Sequence, residues 1–368
     1  MTPQKGLTDM DNGISVYIGL DNTLEENIEL IRQAEACGIR RIFTSLHIPE
    51  SNKDALKKEF RQLLSVAKRE NVDVVTDISP AVMDILDLPD LSLEGFAAMG
   101  ITTLRLDYGF SAEDIAGMSH NSLGIKLQLN ASTATPELLE SLASAKVDMN
   151  TLEASHNFFP RENTGLEEAF FTAKNQLLHK YGVKVACFIP SFNRPRSPIG
   201  AGLPTLEQHR KTSFDFALRH MLALNVDSVF VGDSLPSSDE LKLLGELQDS
   251  THIILRPELW TSKPGILALL HKEYTTRLDE ARDVIRTQES RLYLKEAGIH
   301  LPPEQCGPRK RGYITLDNIN YGRYQGELQI IKTDLPSDYR VNIVASLSNN
   351  ELQLIDYLTP GRGFKFLF

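Results

Sequence analysis

The sequence has few cysteines, and they form no recognisable pattern. Cys37, Cys187 and Cys306 are far apart in a chain of 368 residues. No pair has the spacing of a zinc site, and an odd number of cysteines is a poor basis for a disulfide framework. We therefore predict free thiols in a reducing compartment, with Cys187 buried in the apolar segment VKVACFIP.

The sequence also lacks an excess of positive charge and a long apolar run. It has 39 Lys and Arg against 49 Asp and Glu, a net charge of -10, which argues against a nucleic-acid-binding surface. A few arginines in one cleft can still bind an anion. No stretch approaches the roughly 18 apolar residues of a membrane span, and the polar N-terminus lacks a signal-peptide core. We expect a cytoplasmic protein with no membrane or nucleic-acid partner.

Motifs for nucleotides and metals are missing as well. Neither GxGxxG nor GxxxxGK[ST] follows the first apolar segment, so the usual nucleotide-binding signature is absent. Candidate metal ligands exist, namely His47, His156, Asp77 and Asp107. No HExxH-type spacing supports a metal site among them. We predict neither a cofactor nor a metal.

What the sequence does contain is a repeated alternation of strand and helix patterns. Apolar segments rich in β-branched residues are each followed by a helical pattern, giving eight units in about 250 residues. The number of units and their combined length predict a (β/α)8 TIM barrel of the α/β class, with an open doubly wound sheet as the alternative. The segments are 13–20, 39–48, 72–79, 101–110, 124–132, 148–158, 182–190 and 226–234.

Capping signals predict where three of the helices begin. Thr135 and Pro136 suit the cap and first helical position. Thr164 with Glu167, and Thr205 with Gln208, have the spacing of a capping box. We therefore predict helices near 136–145 and 165–180, and one beginning at about 205.

The composition changes after the eighth unit. From about residue 250 the chain has an Arg-rich polar segment and short strand patterns with Gly and Asn turns, such as RGYITLDNINYGRYQGELQIIKTDL. We predict two domains, a barrel over 1–248 and a small, mostly β domain over 249–368, with the boundary near 245–255.

Polar side chains concentrate at the predicted carboxyl ends of the strands. In TIM barrels the chemistry lies at that end, so these residues are predicted to meet around one ligand. They are His47, Glu50, Asp77, Arg105, Asp107, Gln128, Asn130, Glu153, His156, Asn157, Asn193, Arg194, Arg196 and Asp233.

Carboxylates at two neighbouring strand ends favour acid/base chemistry. Asp77 and Asp107 are the predicted pair, with Glu207 in reserve and His209 near it. Asp77 could instead cap a helix, and Asp107 could pair with Arg105.

No lysine occurs at a strand's carboxyl end, which argues against Schiff-base catalysis. The two arginines of NRPRSPIGAG, Arg194 and Arg196, could hold an anion, unless this is only a surface loop.

Several segments together resemble the MupG family of 6-phospho-N-acetylmuramidases, formerly described as outer surface proteins of unknown function. They occur in order along nearly the whole chain: SLHIPE, TDISPAV, RLDYGF, LNAS, SHNFFPRENTGL, GLPTLEQHR and NYGRYQGELQI. The most specific are HNFFPRENTGL and GLPTLEQHR.

The resemblance implies a TIM barrel with a cyclophilin-like C-terminal β domain. It also implies hydrolysis of 6-phospho-N-acetylmuramic acid–N-acetylglucosamine disaccharides from peptidoglycan turnover. The many hydrogen-bonding groups of this ligand would be met by His156, Asn157, Arg161 and Asn130, with Arg194 or Arg196 facing an anion. We expect the C-terminal domain to close over the barrel mouth and to offer Asn318, Tyr321 and Arg323. A homodimer is one option that the sequence leaves open.

One departure from the family pattern lies after the first strand. The family typically has Tyr-Pro-Glu there, whereas this chain has Tyr17-Ile18-Gly19. Glu50 or Asp21 could replace the missing acid. Two alternatives to a glycosidase therefore stay open: a phosphosugar-binding or regulatory protein on a degenerate barrel, and a phosphosugar isomerase or epimerase.

Overall fold

The computed structural model describes residues 12–45, 53–78, 92–106, 109–248 and 250–368, and the side chains of 53–56 are not part of the description. Three predicted site residues, His47, Glu50 and Asp107, lie outside the described residues. By its contacts the chain divides into two compact units. One comprises the described residues of Met1–Met221 and Asn225–Asp249, and the other comprises Leu222–Leu224 and Ser250–Phe368.

Eight parallel strands close into a barrel within the first unit, which confirms the predicted TIM-barrel architecture. Each strand pairs with the next one along the chain, and the first pairs with the eighth. The strands are β1 Gly13–Ser15, β2 Arg41–Thr44, β3 Asp73–Ile78, β4 Thr103–Leu106, β5 Lys126–Asn130, β6 Leu152–Ser155, β7 Lys184–Ile189 and β8 Ser228–Val231.

Helices follow the strands in the described part of this unit. Thr23 begins the first of them with a complete capping box to Glu26, and its buried face includes Leu30, Ile31 and Ala34. Thr135 and Pro136 begin the fifth as predicted. The helices are α1 Leu24–Ala36, α2 Lys53–Arg69, α3 Leu93–Met99, α4 Ala112–Ser119, α5 Pro136–Ser144, α6 Glu168–Lys180, α7 Phe214–Ala223 and α8 Ser238–Glu246.

Two predicted helix starts are wrong. Helix α6 begins at Glu168, and Thr164 donates instead to the carbonyl of Arg161 at 2.6 Å. Thr205 is buried, and its hydroxyl accepts from Phe188 N at 2.9 Å. A short 3-10 helix, Glu207–Lys211, comes next, and α7 starts only at Phe214.

Aromatic side chains fill one side of the barrel interior. Phe43, Phe188 and Phe230 pack together with Tyr17, and Phe158 lies edge-on to Phe188 at 5.1 Å between ring centroids. The Phe230 ring leaves no room for a side chain at the first position of β1. A Cβ atom at residue 13 would lie 2.2 Å from the Phe230 ring, which explains the glycine at that position.

The second unit is mostly β, as predicted. Its strands form a five-stranded sheet in the order β10-β15-β13-β14-β12 and a three-stranded sheet in the order β11-β16-β9. The strands are β9 Ile253–Leu255, β10 Pro257–Leu259, β11 Glu273–Thr275, β12 Val284–Arg286, β13 Tyr313–Asp317, β14 Leu328–Ile331, β15 Val341–Leu347 and β16 Gly363–Phe366. Two α-helices accompany them, α9 Pro264–Leu270 and α10 Ser290–Ala297, together with the 3-10 helices Ile319–Tyr324 and Leu352–Tyr357.

Helix length bears on membrane association. Among the described residues, no helix combines the length and apolar composition that crossing a bilayer requires.

Candidate active site

A layer of polar side chains from four neighbouring strands lies inside the barrel. Asp77, Arg105, Gln128 and Glu153 occupy paired register positions on β3 to β6. Arg105 Nε lies 3.3 Å from Asp77 Oδ1, and its Nη1 lies 3.4 Å from Gln128 Oε1. Gln128 Nε2 donates to Glu153 Oε1 at 2.7 Å, and Arg41 pairs with the same oxygen. Because Arg105 is almost fully buried, these contacts hold its guanidinium in one orientation.

Asn157 joins this layer from the end of β6. Its Oδ1 accepts a hydrogen bond from Arg105 Nη2. Its backbone is held on both sides, since its N–H donates to Ser132 Oγ at 3.2 Å and its carbonyl accepts from Thr205 Oγ1 at 3.0 Å. The Asp77 carboxylate retains 15% side-chain exposure. Asp77, Arg105 and Asn157 therefore form one polar group at the barrel mouth.

His156 faces away from this group. It is fully buried, with Nδ1 3.1 Å from Ser132 Oγ and Nε2 2.8 Å from Asn175 Oδ1 on α6. An amide oxygen only accepts, so Nε2 carries the proton. Burial lowers the pKa of His156 to about 4. With both nitrogens occupied, the predicted direct contact of His156 with a ligand does not fit. The side chain instead positions Ser132 beneath Asn157.

The opposite side of the mouth combines aromatic rings with a cation. The Arg196 guanidinium lies 4.7 Å from the Tyr17 ring centroid and 4.9 Å from that of Phe158. Arg196 Nε is buried and has no hydrogen-bond partner within the described part of the chain. Tyr17 OH donates to Gly232 O at 2.7 Å, and burial raises the pKa of this phenol. Arg196 is therefore a cation fixed by π faces, with donor capacity left for an anion.

The loop after β7 is organised by Asp233. This buried carboxylate accepts from the backbone N–H groups of Ser191, Arg196 and Leu203 at 2.8–3.0 Å. Burial raises the pKa of Asp233, although the three N–H donors act in the opposite direction. Asp233 was predicted to bind substrate, but its position fits it to shape the loop that carries Arg196.

Arg194 has a different environment from Arg196. Its Nη1 donates to Asn22 Oδ1 and Glu26 Oε1, both at 3.0 Å. Asp21 is engaged as well, because Ser197 N and Ser234 Oγ donate to its Oδ2 at 3.0 and 2.7 Å. Burial opposes ionisation of Asp21, but these donors and the charge of Arg196 lower its pKa overall. Arg194 and Asp21 therefore hold the loop after β7 against the segment after β1.

Glu207 holds the loop that contains Asn163 and Gly165. Its carboxylate accepts from the N–H groups of Asn163 and Gly165, each at 2.8 Å, and from the Arg210 guanidinium. The hydrogen bond from Arg210 is the main reason that the pKa of Glu207 falls to about 2, against the effect of burial. A carboxylate so occupied is a poor proton donor. His209, beside it, is buried against His220, with its Nε2 2.8 Å from His220 Nδ1.

The remaining predicted residues are dispersed. Asn130 Oδ1 accepts from Ser132 N at 3.0 Å in the turn after β5, and the Arg161 side chain is exposed. Asn318 and Arg323 belong to the second unit. Asn318 is buried, and its Nδ2 donates to Asn342 Oδ1 and Tyr339 O at 2.9 Å, whereas Arg323 is exposed.

Tyr17, Phe158 and Ser132 were missed as site residues. Each lies in the last part of a predicted strand segment, but aromatic and small side chains carried no chemical signal there. Within the described ranges, no three His, Cys, Asp or Glu side chains are grouped so that they could hold a metal ion.

The mouth thus offers a carboxylate and amide on one side and aromatic faces with a cation on the other. Such a surface suits a ring compound that has apolar C–H faces, hydroxyl groups and an anionic substituent.

Comparison with protein-family models gives two matches in chain order. Residues 12–246 match the N-terminal model of 6-phospho-N-acetylmuramidase, and residues 255–367 match the C-terminal model. The chain belongs to the 6-phospho-N-acetylmuramidase family. The name of the family indicates a glycosidase, and the predicted resemblance is confirmed.

Two solved structures are similar to this family member over almost its full length. An uncharacterized protein of B. cereus shares 30% identity, with 98% of this chain and 100% of that chain covered and a TM-score of 0.85. A conserved Enterococcus faecalis protein of unknown function shares 33% identity, with 97% and 96% covered and a TM-score of 0.69. A search of curated proteins gave no match.

Proposed function

We propose that this protein hydrolyses the glycosidic bond between 6-phospho-N-acetylmuramic acid and N-acetylglucosamine in cell-wall recycling. The family name supports the reaction type. The observation that carries the proposal is the placement of a carboxylate beside a fixed cation and amide at the mouth of the barrel. Asp77, Arg105 and Asn157 supply this group.

Asp77 is the proposed ionised member of the catalytic pair. The Arg105 guanidinium at 3.3 Å favours the carboxylate form. A carboxylate in that state can activate water or stabilise the positive charge that develops on the sugar ring. Glu153, Gln128 and Arg41 act behind it by keeping Arg105 oriented.

Asp107 is the proposed proton donor to the leaving sugar, on sequence grounds alone. It follows Arg105 by two positions, the spacing at which side chains of an extended chain share a face. Glu207 is assigned a structural role, because four hydrogen bonds occupy its carboxylate.

Arg196 is the proposed site for the anionic group of the substrate. Its guanidinium is held by Tyr17 and Phe158, and a guanidinium binds phosphate or carboxylate through paired N–H donors. The aromatic rings beside it present faces on which a sugar ring can pack.

A second candidate is a phosphosugar-binding protein that does not hydrolyse its ligand. It is favoured by the segment after β1, where Ile18 and Gly19 stand in place of an acid and Asp21 is bound to Ser197 and Ser234. An isomerase or epimerase would use the same carboxylates and leave the glycosidic bond intact.

The assignment of Asp77 is tested by Asp77→Asn. We expect the turnover number to fall by roughly 10²- to 10⁴-fold, the range for losing one acid/base group, with an unchanged circular-dichroism spectrum. Asp73→Asn is the matched control, since Asp73 is exposed at the start of the same strand. Equal activity of the two variants would refute the role of Asp77.

A further inference from the structure

The second unit contains a basic cleft in a chain that is acidic overall. The cleft has a volume of about 620 Å³ and lies between α10 and the 3-10 helix Ile319–Tyr324. Four residues that can carry positive charge line it: Arg291, Lys295, His300 and Arg323. Among the described residues that line it there is no aspartate or glutamate, although the chain has a net charge of -10. We propose that this cleft binds a phosphate monoester, with sugar phosphates as the ligand class.

One wall of the cleft is a face of α10. Arg291 and Lys295 are four residues apart, so they lie one above the other on the helix. Arg291 Nε forms an ion pair with Glu327 Oε2 at 3.6 Å, a distance too long for a hydrogen bond, so the guanidinium keeps N–H groups for a further acceptor. Lys295 is exposed and makes no ion pair within the described residues. Two like charges on one face repel each other, and a dianion placed between them relieves that repulsion.

The opposite wall comes from the 3-10 helix and the residues after it. Arg323 Nη2 donates to Tyr324 OH at 2.8 Å, and its guanidinium lies 4.9 Å from the centroid of that ring. The Arg291 guanidinium lies 5.8 Å from the same ring. Tyr324 therefore limits the positions of both arginines and keeps two planar donor groups in the same region.

The hydrogen-bonding groups of the cleft are predominantly donors. Gln325, which also lines it, has a buried Nε2 with no hydrogen-bond partner among the described residues. A buried amide N–H without an acceptor is costly. A phosphate monoester supplies three acceptor oxygens and nearly two negative charges at neutral pH.

The size of the cleft favours an organic phosphate over a bare ion. Its volume falls within the roughly 300–1,000 Å³ of small-molecule sites. Leu292 and Ile299 add apolar surface to the lining, against which the carbon atoms of a sugar can pack. The proposal concerns the second unit alone and stands whether or not the protein is a glycosidase.

His300 provides a local probe for the test. The full-length protein is titrated with inorganic phosphate and with glucose 6-phosphate, and the histidine ring signals are followed by ¹H–¹³C NMR. The His300 signal is assigned with His300→Gln. We expect it to shift and saturate with both phosphates. Glucose, and sodium chloride at equal ionic strength, should leave it in place. The same shifts are expected in Arg196→Ala, which excludes an effect relayed from the barrel.

Matched variants then locate the site. Lys295→Ala and Arg323→Ala should each weaken phosphate binding at least tenfold. Lys310→Ala removes the same charge from an exposed position of the same unit outside the cleft, and its binding should match the unmodified protein. A His300 signal that does not respond to phosphate overturns the proposal. So does equal weakening by Lys310→Ala, which would show a general charge effect.

Discussion

Arg194 and Arg196 are two positions apart in the loop after β7, yet their surroundings differ. Arg194 is committed to Asn22 and Glu26. Arg196 rests on the rings of Tyr17 and Phe158 and keeps an unpartnered Nε among the described residues. The first therefore fastens the loop, whereas the second is available for an anion.

This difference predicts how the two arginines affect substrate binding. Arg196→Ala should raise KM for the phosphorylated disaccharide by roughly 10- to 100-fold, since a charge-assisted hydrogen bond is worth about 1.5–3 kcal/mol, with kcat changed little. Arg194→Ala is the matched control and should raise KM much less. Steady-state kinetics on both variants tests this. An equal rise in KM for an unphosphorylated disaccharide would contradict recognition of the phosphate by Arg196.

His156 and Asn157 show what sequence could and could not predict at this scale. Their position at the end of β6 was predicted correctly. Successive side chains of an extended segment point to opposite faces, so only one of the pair can face the barrel interior. Asn157 shares the parity of Glu153 and reaches Arg105, while His156 faces Asn175 on α6. The sequence shows that the two side chains must face opposite ways. Because both are polar, polarity alone does not reveal which of them faces the barrel interior.

The buried state of His156 gives a prediction on pH. Its pKa of about 4 lies below the ordinary value of 6.5, so the unfolded chain binds the extra proton first. The free energy of unfolding therefore has its full value above pH 6.5. It decreases by about 3 kcal/mol as the pH falls from 6.5 toward 4, because only the unfolded chain gains the proton in that range.

Denaturant unfolding measured between pH 7 and pH 4 tests this. The fall in the free energy of unfolding should be less steep in His156→Gln, whose side chain does not titrate. His271→Gln, at an exposed position outside the basic cleft, should keep the slope of the unmodified protein. An equally steep fall in His156→Gln would show that His156 contributes nothing to the pH dependence.

Among the elements, strands were predicted better than helix starts. Strand positions follow from runs of β-branched residues, and β3 at Asp73–Ile78 lies inside the predicted 72–79. The capping boxes at Thr164 and Thr205 failed because both threonines bond elsewhere: Thr164 to Arg161, and Thr205 to Phe188 and Asn157. At Thr205, contacts with residues distant in sequence overrode the local signal, whereas at Thr164 a competing bond within the same turn did so.

The close packing of Gly165 against Glu207 gives a prediction on stability. A Cβ atom at Gly165 would lie 2.7 Å from Glu207 N and Oε2, so Gly165→Ala must displace one loop. We expect a loss of about 1–3 kcal/mol in the free energy of unfolding. Gly117→Ala is the control, since its Cβ meets nothing within 4 Å in the middle of α4. It should stabilise the protein by roughly 0.5–1 kcal/mol. Thermal unfolding of both variants checks the opposite signs.

For the molecule as a whole, the barrel could be predicted because its signal is distributed. Eight strand–helix alternations specify the architecture even when single boundaries are wrong, and the change of composition after residue 250 indicated the mostly β second unit. The site was harder to predict, since it depends on which side chains converge. Arg105 and Asn157 contact each other at the barrel mouth and Arg196 packs on Tyr17 at its other side, while His209 is buried against His220.

The central claim concerns one bond, and product release tests it most directly. The purified protein is incubated with 6-phospho-N-acetylmuramic acid–N-acetylglucosamine and, separately, with the same disaccharide without phosphate. Free N-acetylglucosamine is quantified over time. We predict its release from the phosphorylated disaccharide, much less from the other, and almost none with Asp77→Asn. Tight binding of the phosphorylated disaccharide by the unmodified protein without any release would contradict the account and favour a binding protein.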